Sequence, residues 1–381
     1  MRCTAPVLRR CWRHMPRGRP RGSRSACAGP TRCWESLPPK PGPLETAMPE
    51  PLISVVLPCR LSGELGVEMR GALLELSLVS LDAQDYPRDR MEVVIVDDGS
   101  DIDLADWVRA RAERIPSLRP RVIRNDGPAH GTAAAYNIGC AHARGRYVFL
   151  TTDDSLLASD CLSAHALALS RYDAPVYVTG VERQYLYGVL FRNIIEGTLH
   201  DRQDLSVRTF GALLGVPDLR RFADYLGLCE WTVTPDDVRF GFEGLSARSA
   251  LTPNFRDMYE ELASPRQDLR WLCVRVGNHT MPREAYLALG GYDEDIPNMN
   301  SDQAFGLKLA EASIDVVLER RANSVLLEHW RGLRSYVNGS GLKSLAARWP
   351  RPDVLRVHEF FAPGYDRSIA AYRRLLAETA R

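Results

Sequence analysis

An α/β fold with a doubly wound, mostly parallel sheet is predicted by three observations. Short β-branched runs alternate with helical stretches from residue 53 onward. One run, Val148-Phe-Leu150, is brief and wholly apolar, as a strand buried on both faces should be. It then passes straight into Thr151-Thr-Asp-Asp154, polar residues placed where the strand must leave the core. In open α/β sheets, ligands bind just beyond the carboxyl ends of the strands. Two adjacent acids repel there unless a cation or hydrogen-bond donors sit between them. A hard divalent ion shared with a diphosphate is one answer. The same Asp-Asp-Ser run also suits the N-cap of a following helix, so both readings stand at this point.

The elements follow in order. Residues 1–50 are rich in Arg, Pro, Gly and Ser without a period of 2 or 3.6, and are read as a disordered basic segment. Met48, just before the first strand, is an alternative start. Ile53-Ser-Val-Val-Leu57 is a β-branched strand stopped by Pro58. Apolar residues from Leu73 to Leu81 mark a helix ending near Asp85-Tyr-Pro87. Met91–Val96 is a strand running into Asp97-Asp-Gly-Ser100, and a helix is expected over 103–114. Arg121–Arg124 is a strand, and Thr132–Ala143 is small and helical. Tyr147–Thr151 is a strand, 160–170 a helix, and Val176–Gly180 a strand. Residues 183–270 have no clear period and are expected to cover one face of the site. Trp271–Arg275 reads as a strand, 283–289 as a helix ended by Gly290-Gly291, and Ser301–Ala312 as a helix capped by Ser301. Asp315–Leu318 and Ser324–Glu328 read as two strands, and 336–381 as a C-terminal helical extension.

Bulk properties narrow the function. The chain has 381 residues and a formal net charge of +1, which gives no general attraction to nucleic acid. No apolar run is long enough to span a membrane as a helix. The basic N-terminus lacks the apolar segment of a secretory signal. Nine cysteines are dispersed without a Cys-x-x-Cys pair, which reads as reduced thiols and a cytoplasmic location.

The motifs resemble a known family. Ile53-Ser-Val-Val-Leu-Pro58, Tyr86-Pro87 and Glu92-Val-Val-Ile-Val-Asp-Asp-Gly-Ser100 are similar to segments of the inverting family-2 glycosyltransferases, which have the GT-A fold. Gly131-Thr-Ala-Ala-Ala-Tyr-Asn-Ile-Gly139 and Ala143-Arg-Gly-Arg-Tyr-Val-Phe-Leu150 continue the resemblance. So do Gly277-Asn278, Met281-Pro-Arg283 and Gly290-Gly-Tyr-Asp-Glu294. The resemblance covers about 53–182 and 271–331, and it implies a GT-A domain over 51–335 with a variable acceptor-side insertion at 183–270. Two positions depart from the family pattern: Thr stands at the first place of the Asp-x-Asp metal motif, and Ser301 replaces the usual Glu before Asp302.

The resemblance implies transfer of a sugar, with inversion, from a nucleoside-diphosphate sugar, most often a UDP-sugar, to an acceptor the sequence does not name. Inverting transfer needs a base for the acceptor hydroxyl and charge neutralisation on the departing diphosphate. Asp302 is implied as the base. Asp153 and Asp154 are implied at the diphosphate with a divalent ion, Mn²⁺ or Mg²⁺, and His329 as a third metal ligand; imidazole suits Mn²⁺ better. Arg331 or Arg334 is an alternative partner for phosphate. Pro58, Arg60, Asp97, Asp98 and Asp153 are implied around the donor nucleotide, and Gly290 and Gly291 beside the sugar. Structural readings stand beside these: a turn at Asp98-Gly-Ser100, helix termination at Gly290-Gly291, a helix cap at Asp302. Two other functions remain. One is a degenerate module that binds a nucleotide sugar or a partner without turnover. The other is a sugar nucleotidyltransferase, for which Cys59-Arg-Leu-Ser-Gly63 is a poor phosphate loop.

Overall fold

Strand β1, Ile53–Cys59, is the hub of the sheet, because its residues are apolar on both faces and nearly all lack contact with water. The computed structural model describes residues 53–63, 66–128, 130–199, 231–266, 268–296, 298–329, 340–361 and 368–379. The basic segment, Arg331, Arg334 and much of the insertion lie outside these residues. The described residues belong to the unit Pro49–Arg381.

β1 pairs in parallel with β2 (Met91–Asp97) on one side and β4 (Tyr147–Leu150) on the other. β3 (Arg121–Arg124) pairs in parallel outside β2. Beyond β4 lie β9 (His279–Pro282), β6 (Val176–Tyr185), β10 (Asp315–Leu327) and β5 (Ser155–Leu157), so the order is β3-β2-β1-β4-β9-β6-β10-β5. Only β9 and β5 run against the rest. Phe191–Asn193 and Thr198–Leu199 form a separate small hairpin, β7 and β8.

Alternation along each strand feeds two cores. Ile53, Val55, Leu57, Val93, Ile95 and Phe149 face helices α1 (Val67–Asp82), α2 (Leu104–Arg109) and α4 (Cys161–Leu169). Val56, Val94, Val96, Val148 and Leu150 face α3 (Thr132–His142) and the elements that complete the other layer. Fully burying such a side chain contributes about 1.5–3 kcal/mol, so this central block dominates the stability. Between the layers' two halves come α5 (Pro235–Phe240), α6 (Phe242–Ala247) and α7 (Pro253–Ala263). Then come α8 (Arg283–Ala288) and α9 (Asn298–Glu311). The C-terminal helices are α10 (Ser340–Arg348), α11 (Pro352–Leu355), α12 (Val357–Phe360) and α13 (Ile369–Thr379). Leu345, Trp349, Val354 and Tyr372 join these last helices to the second core.

Several boundaries differ from the sequence expectation. β1 runs through Pro58 to Cys59. The Val56 carbonyl faces β4, accepting from Thr151 N, and the Cys59 carbonyl faces β2, accepting from Asp98 N. Alternation therefore aims the N–H that Pro58 lacks at the β4 side, beyond the last β1–β4 pair at Val56 and Leu150. The proline costs no ladder bond there. Trp271–Cys273 lies in a 3₁₀ turn, Arg270–Cys273, instead of a strand. Its apolar residues are buried against α9, where Gly306 leaves room for the Trp271 backbone: a Cβ would lie 2.3 Å from that carbonyl. The sheet strand of this region is β9. Asp315–Leu327 is one strand whose register shifts between Leu318 and Asn323, which is why it reads as two. α9 starts at Asn298, so Ser301 lies inside the helix and does not cap it.

Candidate active site

The chain leaves β1 outward to β2 and β3, then returns to β4 on the other side of β1. That reversal opens a crevice at the carboxyl ends of β1 and β4, the place where open α/β sheets bind ligands. β6 and β10 run the same way as β4, so Glu182 and His329 come to the same sheet edge.

The Asp97 and Asp98 carboxylates are held by the protein. Asp97 accepts from Ser100 N at 2.8 Å and from Arg124 Nη1 at 2.7 Å. Asp98 accepts from Asn125 Nδ2 and Gly131 N, each at 2.7 Å, with His130 Nδ1 at 3.2 Å. The pair thus builds the loops around the crevice, including the turn at Gly99 (φ 86°). Pro58 is half-buried at the crevice wall and Arg60 is exposed beyond it.

The loop after β4 is pinned from three sides. Tyr136 of α3 donates its hydroxyl to Thr151 O at 2.8 Å. Ser77 of α1 donates to Ser155 O at 3.1 Å. Leu327 N donates to Asp154 O at 2.8 Å. Asp153 and Asp154 are both buried. Burial raises the Asp153 carboxyl to about 6; the Arg70 guanidinium beside it pulls it down and Asp154 pushes it up. Arg70 grips both Asp153 oxygens through Nη2, and its Nη1 lies 2.7 Å from His329 Nε2. The same imidazole nitrogen is 3.2 Å from Asp154 Oδ2. So the structure gathers Asp153, Asp154 and His329, and puts an arginine among them.

Asp302 sits in the second turn of α9. Burial raises its carboxyl to about 6, while Arg275 and the Val276 backbone N–H pull it back. One of its oxygens, Oδ1, has no hydrogen-bond partner among the described residues. Phe305 of α9 stacks on Tyr292, which stacks on Tyr136, whose hydroxyl holds Thr151 O, so the helix of Asp302 packs against the element that pins the Asp153 loop. Gly290 and Gly291 end α8 with φ of 74° and 62°, their N–H groups donating to Leu287 O and Tyr286 O. A Cβ on Gly291 would lie 2.2 Å from Asn137 Oδ1, so Gly291 allows close packing on α3, whereas a Cβ on Gly290 would meet nothing within 4 Å and its positive φ alone marks the helix end.

Sequence reasoning missed Arg70, Glu182, Arg275 and Tyr136. Glu182 is buried, accepts from Ser155 Oγ at 3.1 Å, and is raised to about 8 by burial, against the pull of Arg275. Arg70 carried one readable signal: it continues the stripe Leu74, Ser77, Leu81 on the buried side of α1, where a charge needs a partner.

Residues 54–207 match the model for glycosyl transferase family 2. Over those residues, fewer than half of the chain, it is similar to family-2 glycosyltransferases, and its mostly parallel sheet flanked by helices is consistent with a doubly wound GT-A fold. Solved glycosyltransferases with similarity to it include the mannosyltransferase PcManGT from Pyrobaculum calidifontis in complex with GDP-Man and Mn²⁺. That match has 20% identity and a TM-score of 0.42, over 87% of this chain and 69% of that one. S. aureus TarS 1–349 matches at 16% identity and a TM-score of 0.46, over 86% and 70%. Its complex with UDP-GlcNAc matches at 16% and 0.45, over 86% and 71%. No curated protein matches the chain significantly. Of the two threonines that can stand at the first motif position, Thr151 and Thr152, Thr151 is fully buried, its amide donating to Val56 O and its carbonyl accepting from the Tyr136 hydroxyl. No helix among the described residues is long and apolar enough to cross a membrane.

Proposed function

We propose that the chain transfers a glycosyl group from a nucleoside-diphosphate sugar to an acceptor hydroxyl with inversion, and that Asp302 is the base. The observation that carries this is the Asp302 carboxyl: partly buried, with Oδ1 unpartnered among the described residues, on a helix that packs through Phe305 and Tyr292 against Tyr136 beside the Asp153 loop. A base needs an oxygen not taken by another donor and a pKa near the working pH; Oδ1, though buried, has no partner among the described residues, and a carboxyl raised to about 6 meets the second need. In the reaction the acceptor hydroxyl loses its proton to Asp302 as its oxygen attacks the anomeric carbon. The bond from that carbon to the diphosphate oxygen breaks, and the diphosphate leaves with the electron pair. α9 is packed through Ala304, Phe305 and Leu307, which fixes the direction of the Asp302 side chain.

Asp153, Asp154 and His329 are the residues that would hold the expected divalent ion. Two carboxylates and an imidazole are suitable donors for Mn²⁺. However, the Asp153 oxygens and His329 Nε2 already face the Arg70 guanidinium, so the set as arranged does not fit an ion. Among the described residues, no group of three or more His, Cys, Asp or Glu side chains is placed to hold a metal.

Asp302→Asn keeps the shape but cannot take a proton. General base catalysis contributes about 10²–10⁴-fold, so this variant is expected to lose at least about a hundredfold in kcat with donor Kd and Tm nearly unchanged. Wild-type kcat/KM should fall on the acid side with a midpoint near the Asp302 value of about 6, because the protonated carboxyl cannot act as a base. Retention of more than about a tenth of the wild-type kcat by the Asn variant counts against the assignment. The second reading, binding without turnover, is favoured by Thr151 at the first motif position. Slow hydrolysis of a donor in the absence of acceptor excludes it.

A further inference from the structure

We propose that Arg70 is the resident cation of this site, filling the place between Asp153 and His329 that a divalent ion would take, so that diphosphate binds without one. This inference rests on the reading of the crevice as a nucleoside-diphosphate-sugar site. A metal bound by Asp153 and His329 would use the carboxylate lone pairs and the Nε2 lone pair. Those are the lone pairs Arg70 faces: Nη2 donates to both Asp153 oxygens, and Nη1 lies 2.7 Å from Nε2. An arginine stays protonated and has no acceptor, so it donates in each contact.

The placement is built rather than incidental. Arg70 and Ser77 lie on one face of α1, two turns apart, and Ser77 is hydrogen-bonded to the carbonyls of Ser155 and Thr152 at 3.1 and 3.3 Å. The helix that delivers the guanidinium is thus bolted to the loop that carries Asp153. The Arg70 side chain is 15% exposed and that of Asp153 is 3% exposed, so screening by solvent is weak and the pair is expensive to separate. The Thr151 departure is consistent with this. A site that gives up one motif acid needs less positive charge, and a guanidinium supplies one charge where a divalent ion supplies two. A planar fork with several N–H donors also suits diphosphate oxygens.

The test uses the full chain. Mn²⁺ alone is titrated and free ion is followed by electron paramagnetic resonance, for wild type, Arg70→Ala, Arg70→Lys and Asp153→Asn. In parallel, UDP, GDP, CDP, ADP and dTDP are titrated by calorimetry in EDTA and again with Mn²⁺. Wild type is expected to show no Mn²⁺ site sensitive to Asp153→Asn. Its nucleotide Kd should change less than about twofold between EDTA and Mn²⁺. Arg70→Ala should gain Mn²⁺ binding and lose nucleotide affinity in EDTA by at least about tenfold, the scale of a lost hydrogen bond to a charged group, with Mn²⁺ restoring part of it. Arg70→Lys keeps the charge and guards against a folding defect in the Ala variant; it should fall between. Mn²⁺ binding by wild type that Asp153→Asn abolishes overturns the proposal, as does loss of nucleotide binding by wild type in EDTA. If no nucleotide binds under either condition, the donor reading fails and the diphosphate role with it. The Mn²⁺ arm then decides separately whether Arg70 stands in the place of the ion.

Discussion

Glu182 is the residue whose titration the fold alters most plainly. Burial lifts its carboxyl from 4.5 to about 8, so the folded protein holds a proton there that the unfolded chain releases. The sign follows from linkage: a raised folded pKa gives stability that is complete below about 4.5 and is lost as pH rises through about 8. Glu182→Gln removes the titration while keeping an oxygen for the Ser155 hydroxyl. Its Tm is expected to match wild type near about pH 5 and to exceed it by several degrees near about pH 8.5, each pKa unit being worth about 1.4 kcal/mol. Equal Tm values at both pH values would refute the buried, protonated state. His165, buried and lowered to about 4 with Asn278 as its partner, works in the opposite sense, weakening the fold as pH falls from 6.5 toward 4. At this scale the sequence made Asp153, Asp154, His329 and Asp302 readable, because each stands beside a strand end or within a motif. Arg70 and Glu182 were not readable, because what matters about them is a contact across the fold; Arg70 meets a carboxylate 83 positions away.

Helix α3 shows how closely an element must approach to bring Tyr136 to the crevice. Gly139 faces the sheet, and a Cβ there would lie 2.2 Å from Val56 Cγ1 and 3.0 Å from Val96 Cγ2. Alanine is the better helix former by about 1 kcal/mol, so an exposed site would gain from the change. Here the buried valines have nowhere to move, and overpacking costs about 1–3 kcal/mol. Gly139→Ala is therefore expected to lower the urea midpoint, and Val56→Ala added to it should recover part of the loss. A Gly139→Ala variant as stable as wild type would contradict the close approach. Helices and parallel strands up to residue 180 were legible because short β-branched runs alternate with longer stretches rich in Leu and Ala, separated by Gly, Pro and Asp turns. β9 was not, since His279 and Thr280 are polar yet buried, with the Thr280 hydroxyl spent on Val148 O at 2.9 Å. Trp271–Cys273 misled for the converse reason: it is apolar and buried, but under α9 instead of in the sheet. β5 is three residues long, too short for alternation to register.

Across the whole molecule, the sheet order sets a timetable for assembly. β1, β2, β3 and β4 lie within the first hundred described residues and pair with one another directly. β5 comes next in the chain but can pair only with β10, near the far end of the domain. Closing so long a loop is entropically slow, and pairings of large sequence separation form late. The loop bearing Asp153 and Asp154 sits between β4 and β5; α1 holds its far end early, through Ser77 on Ser155 O, and β10 completes it late, through Leu327 N on Asp154 O. The amide of Ala158, which donates to Asn323 O, and that of Leu327, which donates to Asp154 O, should therefore gain exchange protection together during refolding. Both should lag the amides of the β1–β2 ladder. Pulse-labelling hydrogen exchange reads this directly, and protection of Ala158 as early as Val94 would overturn it. On a ribosome the same order means that the crevice exists in outline before β10 is made, and that a nascent chain ending ahead of Asp315 carries the acids of the site on a loop held by α1 and α3 but still lacking its bond to β10.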